Sequence, residues 1–326
     1  MTKVKKNRKS TKPFQVSVII PTYNRSKILK RCLGLFFKQD YPKNKTEVVV
    51  IDDGSIDDTK RVIDKLKEKV PGGFGFKYLT QKKQGPAAAR NLGIKKCRGD
   101  IVIIVNDDFL PEEDLISQHV KFHHLFPTPK IAVLGYTTWS PEIEITPFMY
   151  WLENGGPLFN YSHIKGDEAS WWQTWTCNIS YKKEFLLKEG LFDEGFPYAA
   201  WEDVELGYRL HKKGLRIKYN KEAVGYHYHP TTLISSMNKM KTHGASAVIF
   251  GEKVSDKSHL PLLARKDTGL LIDLIDRVFF ISPVCYVMER VALFCEPRYI
   301  FHHLYKYLLL HNRVLGRRKF IKKGHV

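Results

Sequence analysis

From residue 16 onward, short aliphatic and β-branched runs alternate with longer stretches whose apolar positions recur at helical spacing. Val16–Ile20 is followed by Lys27–Lys38, Glu47–Ile51 by Asp57–Val70, Phe76–Thr80 by Pro86–Cys97, and Ile101–Val105 by Glu112–Phe126, with Ile131–Tyr136 after them. Strands with almost no polar interruption suit a sheet covered on both faces, so the alternation predicts a doubly wound α/β layer with a mostly parallel sheet. Ser26, Ser55 and Asp57 mark helix starts, and Pro86 suits a first helical turn. From about 138 to 180 the periodicity fades into an aromatic stretch holding Trp139, Trp151, Trp171, Trp172 and Trp175. It reads either as loops and irregular strands lining a pocket or as an aromatic core beneath a long loop. Tyr181–Lys188 and Glu202–Lys213 read as helices stopped by Gly190 and Gly214.

After His229-Pro230 the pattern changes again. Leu271, Leu274, Ile275 and Val278 share one helical face, and further on Tyr299, Phe301, Leu304, Tyr305, Tyr307 and Leu308 mingle with Lys306, Arg313, Arg317, Arg318 and Lys319. This predicts a basic amphipathic helical tail that lies on an anionic membrane surface, packs on the main domain or meets a partner helix. Charge sharpens that picture. Residues 1–12 carry six basic and no acidic side chains, residues 231–326 carry 16 basic and 7 acidic, and together they hold +15 of the net +19. The middle of the chain is near-balanced and the ends suit an anionic surface. Length and a 43% hydrophobic content allow one large domain with an appendage. Five cysteines without CxxC spacing suggest neither a disulfide framework nor a zinc site, and point to a reducing cytosol. The first apolar run is too short for an export signal, and no window reaches about 18 uncharged apolar residues.

Two acidic pairs carry the candidate chemistry. Asn106-Asp107-Asp108 closes the strand Ile101–Val105, and Trp201-Glu202-Asp203 opens a helix some ninety residues later. A carboxylate at the carboxyl end of a buried parallel strand faces the crevice where open α/β sheets bind ligands, so the two pairs suggest a metal site and a general base in one cleft. Taken alone, either pair could be a turn or a helix-dipole complement. Pro21-Thr22-Tyr23 leads from the first strand towards a helix N-terminus, a place suited to an anionic or nucleotide ligand. Neither Gly-x-Gly-x-x-Gly nor a Walker lysine is present, which argues against a dinucleotide oxidoreductase or a phosphate-loop ATPase.

In order and spacing, Val16–Arg25, Ile51–Ser55, Gly85–Gly93, Asn106–Asp108, Phe192–Glu194 and Trp201–Asp203 resemble the motifs of family 2 inverting glycosyltransferases. The resemblance covers about residues 14 to 230. It implies the GT-A fold, Rossmann-like with a mostly parallel central sheet flanked by helices, here with a basic helical C-terminal extension. The implied organisation is a basic tail (1–13), a GT-A domain (14–230) with a nucleotide-binding half (14–110) and an acceptor half (111–230), and the extension (231–326). By the same resemblance Pro21, Thr22, Tyr23, Arg25, Asp53, Gly85, Arg90 and Asp107 bind a nucleotide-diphosphate sugar, with Asp53 contacting the base. Arg90 could equally be an exposed helix-face residue, and one acid of Asp52-Asp53 could serve only as turn and N-cap.

Asp108 and Asp107 would hold Mn²⁺ or Mg²⁺, hard cations suited to carboxylate and diphosphate oxygens. His227 matches the spacing of a third ligand, with His229 a weaker candidate. Asn106 departs from the Asp that often opens this motif. Asp203 matches the family's base, with Glu202 beside it; burial near Trp201 and the Glu202 charge would lift its pKa towards neutrality. The expected activity is metal-dependent, inverting transfer from a nucleotide-sugar donor, UDP-linked by preference, to a hydroxyl of a glycan or lipid-linked acceptor in surface-polysaccharide synthesis. The expected place is the cytoplasm, peripheral on the inner face of the membrane. A catalytically inactive scaffold, a nucleic-acid-binding protein and a nucleotidyltransferase are the alternatives. Nucleic acid is disfavoured, because the basic residues sit at the ends without a recognition motif.

Overall fold

The structure is a computed structural model that describes residues 13–254, the isolated positions 264, 287, 288, 290 and 291, and residues 301–322. The basic tail through residue 12 and the Leu271–Val278 helical face lie outside the described residues. The first part of the chain follows the expected alternation: β1 Val16–Thr22, α1 Ser26–Phe36, β2 Thr46–Asp52, α2 Thr59–Lys67, β3 Gly75–Thr80, α3 Pro86–Lys96 and β4 Ile101–Val105. The chain continues through β5 Phe109–Pro111, α4 Leu115–Leu125, β6 Ile131–Trp139, α5 Pro147–Asn154, β7 Glu168–Ala169 and β8 Asn178–Lys182. It then forms α6 Lys183–Glu189, α7 Glu202–Lys212, β9 Arg216–His227, α8 Leu233–Lys253 and α9 Phe301–Lys322.

Among the described residues one sheet runs in the order β3-β2-β1-β4-β8-β6-β9-β5, with β7 against β9. β1 to β4 are parallel, as the apolar runs require. The sheet becomes mixed beyond β4, because β8 is antiparallel to both β4 and β6, and β5 and β7 are antiparallel to β9. The two-residue period of the strands divides the core. Val18, Ile20, Val48, Val50, Ile101 and Ile103 pack with Leu29, Leu33, Ile63 and Ile116 from α1, α2 and α4. Ile19, Val49, Ile51, Val102 and Ile104 belong to a second cluster with Leu186 of α6 and Leu206 and Leu210 of α7.

One expectation needs correction, and two open alternatives are decided. Tyr181 and Lys182 are strand residues, not the start of a helix; all five residues of β8 are buried, which hid its alternation. The aromatic stretch is mainly core: Trp139, Phe148, Trp151, Phe159 and Tyr161 are buried together, and α5 sits within the stretch. Of the alternatives for the tail, packing on the main domain is the one seen for Tyr305 and Leu308, which are buried in the same cluster, with Tyr305 edge-on to Phe148 at 5.0 Å. α8 and α9 cross at a backbone-to-backbone contact. A Cβ on Gly244 would lie 1.9 Å from the Arg313 carbonyl oxygen, and one on Gly316 1.9 Å from that of Lys241. Among the described residues no helix is long and apolar enough to cross a membrane.

Candidate active site

Both acidic pairs come to the carboxyl edge of the sheet for topological reasons. β4 lies beside β1, so the turn after Val105 sits against Thr22 at the end of β1, and Thr22 Oγ1 donates to Asp107 Oδ2 at 2.8 Å. β5 then pairs with β9, setting Phe109 opposite His227, and Tyr228 N donates to the Asp108 carbonyl at 2.8 Å. His227 Nε2 therefore lies 3.1 Å from Asp108 Oδ1, its ring walled by Trp139 and Phe159.

Arg25, the N-cap residue of α1, reaches over this edge. Its Nη1 donates to Asp107 Oδ1 at 2.9 Å and Asp108 Oδ2 at 2.5 Å, and Nη2 meets His229 Nδ1 at 3.1 Å. Environment splits the aspartate pair. Burial and then the Asp108 charge push the Asp107 carboxyl up. Burial also acts against the Asp108 anion, but His227 and Arg25 outweigh it and hold that carboxyl well below its ordinary value. Burial, then the Lys239 charge, lowers His229 to about 4.

The metal set expected from sequence is only partly assembled. Among the described residues no three His, Cys, Asp or Glu side chains gather as a ready-made cage. Both Asp107 oxygens carry a hydrogen bond, from Thr22 and from Arg25. Asp108 and His227 do fit a divalent ion. Asp108 Oδ1 is buried and faces only the His227 edge, and the 3.1 Å between Oδ1 and Nε2 resembles the roughly 3 Å between neighbouring ligands of an octahedral ion.

The nucleotide-side residues form a second group. Asp52 makes the turn, accepting from Ser55 N at 2.7 Å and from the Tyr78 hydroxyl at 2.5 Å. Asp53 shapes the loop before α3, accepting from Gln81 Nε2, Gln84 N and Gly85 N, each at 2.8 Å. That leaves about one of the roughly four acceptor positions on the Asp53 carboxylate for a base. Gly85 takes φ 97°, the left-handed region that glycine enters without strain, and this lets its N–H turn back to Asp53. Tyr23 is partly exposed beside the loop with Lys83 Nζ 3.9 Å from its ring centroid, while Pro21 remains within β1. The loop residues Gln81, Lys83 and Gln84 escaped notice in the sequence, where they read as an ordinary polar turn.

Arg90 does not lie on an exposed face. It is buried, and Nη1 pairs with Glu202 Oε1 at 2.7 Å, so Glu202 is a partner of Arg90 before anything else. Next to it, Asn91 Nδ2 donates to the Phe192 carbonyl at 2.9 Å and to Glu194 Oε1 at 2.8 Å, while its Oδ1 accepts from Phe192 N at 3.0 Å. Asp203 follows Trp201, which holds a left-handed backbone at φ 73°. Such a conformation costs a non-glycine residue on the order of 1 kcal/mol. Here it is held by Trp201 Nε1 donating to the His243 carbonyl at 3.0 Å and by Arg313 lying 5.1 Å from the ring centroid. Burial, then the Glu202 charge, raises the Asp203 carboxyl from 3.8 to about 7, against the opposing pull of Arg90. Thr174 Oγ1 donates to the Asp203 carbonyl at 2.7 Å, and Cys177, three residues on, feels both the Asp203 and the Asp108 charges. Thr174 leads into β8, whose Asn178 pairs with Val105 just ahead of Asn106-Asp107-Asp108, so both acidic pairs lie at the same end of β4 and β8.

The family model described as Glycosyl transferase family 2 matches residues 17–133. Chondroitin synthase of Pasteurella multocida (strain Pm70) is 30% identical over 288 residues, covering 76% of this chain but 29% of that protein, so the chain spans under a third of its length. Among solved structures, the mannosyltransferase PcManGT from Pyrobaculum calidifontis, in complex with GDP-Man and Mn²⁺, superposes with a TM-score of 0.60 at 19% identity, covering 94% of this chain and 88% of that one. TarS 1–349 of S. aureus, in complex with UDP-GlcNAc, gives 0.57 at 18% identity, covering 95% and 92%. The chain belongs to glycosyl transferase family 2, built on the GT-A fold.

Proposed function

We propose that this protein is a metal-dependent, inverting glycosyltransferase that moves a sugar from a nucleotide-diphosphate donor, UDP-linked by preference, to a hydroxyl of a glycan or lipid-linked acceptor in surface-polysaccharide synthesis. The arrangement that carries the reading is the Asp203 carboxyl, raised by burial and Glu202 to about 7, at the same end of the sheet as the Asp107-Asp108 turn. A base with a pKa near the working pH accepts a proton efficiently and is still regenerated.

Tyr23, Lys83 and the loop shaped by Asp53 form the platform for the nucleotide base and ribose. Asp108 and His227 would hold Mn²⁺ or Mg²⁺, which when bound supplies positive charge against the donor diphosphate. Asp203 takes the proton of the acceptor O–H as that oxygen bonds to the anomeric carbon. The bond from that carbon to the diphosphate oxygen breaks, its electron pair leaves with the nucleoside diphosphate, and one in-line displacement inverts the centre. Glu202, clamped by Arg90, acts as a positioning residue that sets the charge around Asp203.

UDP preference finds support in the UDP-GlcNAc complex of TarS, whereas the GDP-Man complex of PcManGT keeps guanine donors in the comparison. Calorimetric titration of UDP, GDP and dTDP, with and without Mn²⁺, tests the reading. Metal-dependent binding of one nucleotide, lost in Asp108→Ala, is the expected result. Failure of all three to bind would leave an inactive scaffold as the better account.

A further inference from the structure

Between β1 and α1 the chain turns through Asn24 at φ 53°, and this turn sets Arg25 over the carboxyl edge of β4. The guanidinium spends one nitrogen on two different carboxylates and another on His229. The Asp107 and Asp108 side chains are only 7% and 3% exposed. Two adjacent buried carboxyl groups need a counter-charge, and removing the partner of a buried ion is costly. Arg25 supplies that charge through direct hydrogen bonds to both acids.

A divalent ion on Asp108 and His227 competes for the same charge. It would stand beside the guanidinium, cation against cation, where burial leaves little water to screen them. Arg25 has a route out, since its side chain is 35% exposed at the mouth of the cleft. An incoming diphosphate offers anionic oxygens that match the planar guanidinium fork.

We infer that Arg25 is a built-in counter-cation: it neutralises the Asp107-Asp108 pair in the metal-free protein, yields Asp108 to the metal, and passes to the diphosphate of the donor, so that metal and donor bind cooperatively. The inference rests on the metal-dependent donor reading above. It carries a sign that a simple substrate-binding arginine would not. Removing Arg25 should strengthen metal binding in the absence of nucleotide while weakening nucleotide binding. By linkage, the factor by which UDP tightens the metal equals the factor by which the metal tightens UDP, and both should shrink.

The test is Mn²⁺ binding without nucleotide, followed by the loss of the free-ion paramagnetic resonance signal, in wild type, Arg25→Gln, Arg25→Lys and Asp108→Asn. UDP titrations with and without Mn²⁺ run beside it, and circular dichroism melting checks the fold. The inference expects Arg25→Gln to bind Mn²⁺ about tenfold more tightly than wild type, Arg25→Lys to fall between, and the UDP–Mn²⁺ coupling factor to drop in Arg25→Gln. Wild-type Mn²⁺ binding that is lost in Asp108→Asn but unchanged or weakened in Arg25→Gln overturns the role of Arg25 and leaves the metal reading standing. Should Arg25→Gln not fold, Arg25→Lys decides alone, and wild-type affinity in it overturns the inference. Absence of Mn²⁺ binding in wild type and both Arg25 variants overturns the inference and the metal reading together.

Discussion

Replacing Glu202 with Gln should move the pH at which transfer switches on. The carboxyl of Asp203 stands near 7 because burial, and after it the Glu202 charge, disfavour its anion. A base works only when deprotonated, so turnover falls as pH drops through that value. With a midpoint of 7, about 9% of the sites are active at pH 6 and about 91% at pH 8, a roughly tenfold rise. Gln at 202 removes the like charge while its amide oxygen can still accept from Arg90, whose unopposed charge pulls the same way. A nearby charge is worth at least about 1 pK unit, or roughly 1.4 kcal/mol. The midpoint should then shift to about 6 or below, and the active fraction at pH 6 should rise to about 50% of the variant's own plateau. The assay is release of the nucleoside diphosphate at saturating donor and Mn²⁺ across pH 5 to 9, with the best donor from the binding screen and water or an added glycan as acceptor. Profiles that superimpose, or a limb that moves to higher pH, would refute the link between Glu202 and the base.

Other outcomes follow from the same geometry. Asp203→Asn should keep UDP and Mn²⁺ binding but lose transfer by about 10²-fold or more, as seen in single-turnover rates. Asp53→Ala frees Gln81, Gln84 N and Gly85 N from their shared anchor, so UDP affinity should fall by about tenfold in calorimetry. His119, buried with its ring nitrogens 2.9 Å from Ser180 Oγ and Asn178 Oδ1, is lowered from 6.5 to about 4 by burial. The unfolded chain therefore takes up this proton first. The His119 contribution to stability is complete above pH 6.5 and fades towards pH 4, with a loss of about 2 kcal/mol between pH 7 and 5. Urea unfolding should show a flatter pH slope in His119→Gln. Gly244→Ala drives a methyl into the Arg313 carbonyl and should cost about 2 kcal/mol or more in the same measurement.

The parts legible in the sequence were those written in local order. Apolar runs gave β1 to β4, and carboxylates at the ends of such runs marked the cleft, because an unpaired charge is costly inside a strand buried on both faces. What escaped the sequence was set by partners far along the chain. Arg90 looks like one polar residue on a short helix until Glu202, 112 positions away, closes on it in the interior. Asp107 and Asp108 look equivalent until Thr22 and Arg25 take up one and leave an oxygen of the other facing His227. Tyr305 and Leu308 sit on an amphipathic face whose partner the sequence leaves open, and the aromatic surface of Phe148 and Trp151 claims them. His119 and His123 were the one missed cluster with a readable signal. They lie four residues apart on the apolar face of α4, and both rings meet Ser180 Oγ at 2.9 Å.

The ties from α3 bear on how the enzyme can be recombined. Arg90 to Glu202 and Asn91 to Phe192 and Glu194 stitch the first part of the chain to the region around α7 through the interior. A clamshell opening between these regions would strip a buried ion pair, a cost of about 3–5 kcal/mol. The two regions thus travel as one block, and any opening falls to the short edge loops around Lys83 and Arg25. A chimaera that grafts a new region around α7 here must therefore import the helix bearing Arg90 and Asn91 along with the helix bearing the base, or the seam will carry unpaired charge.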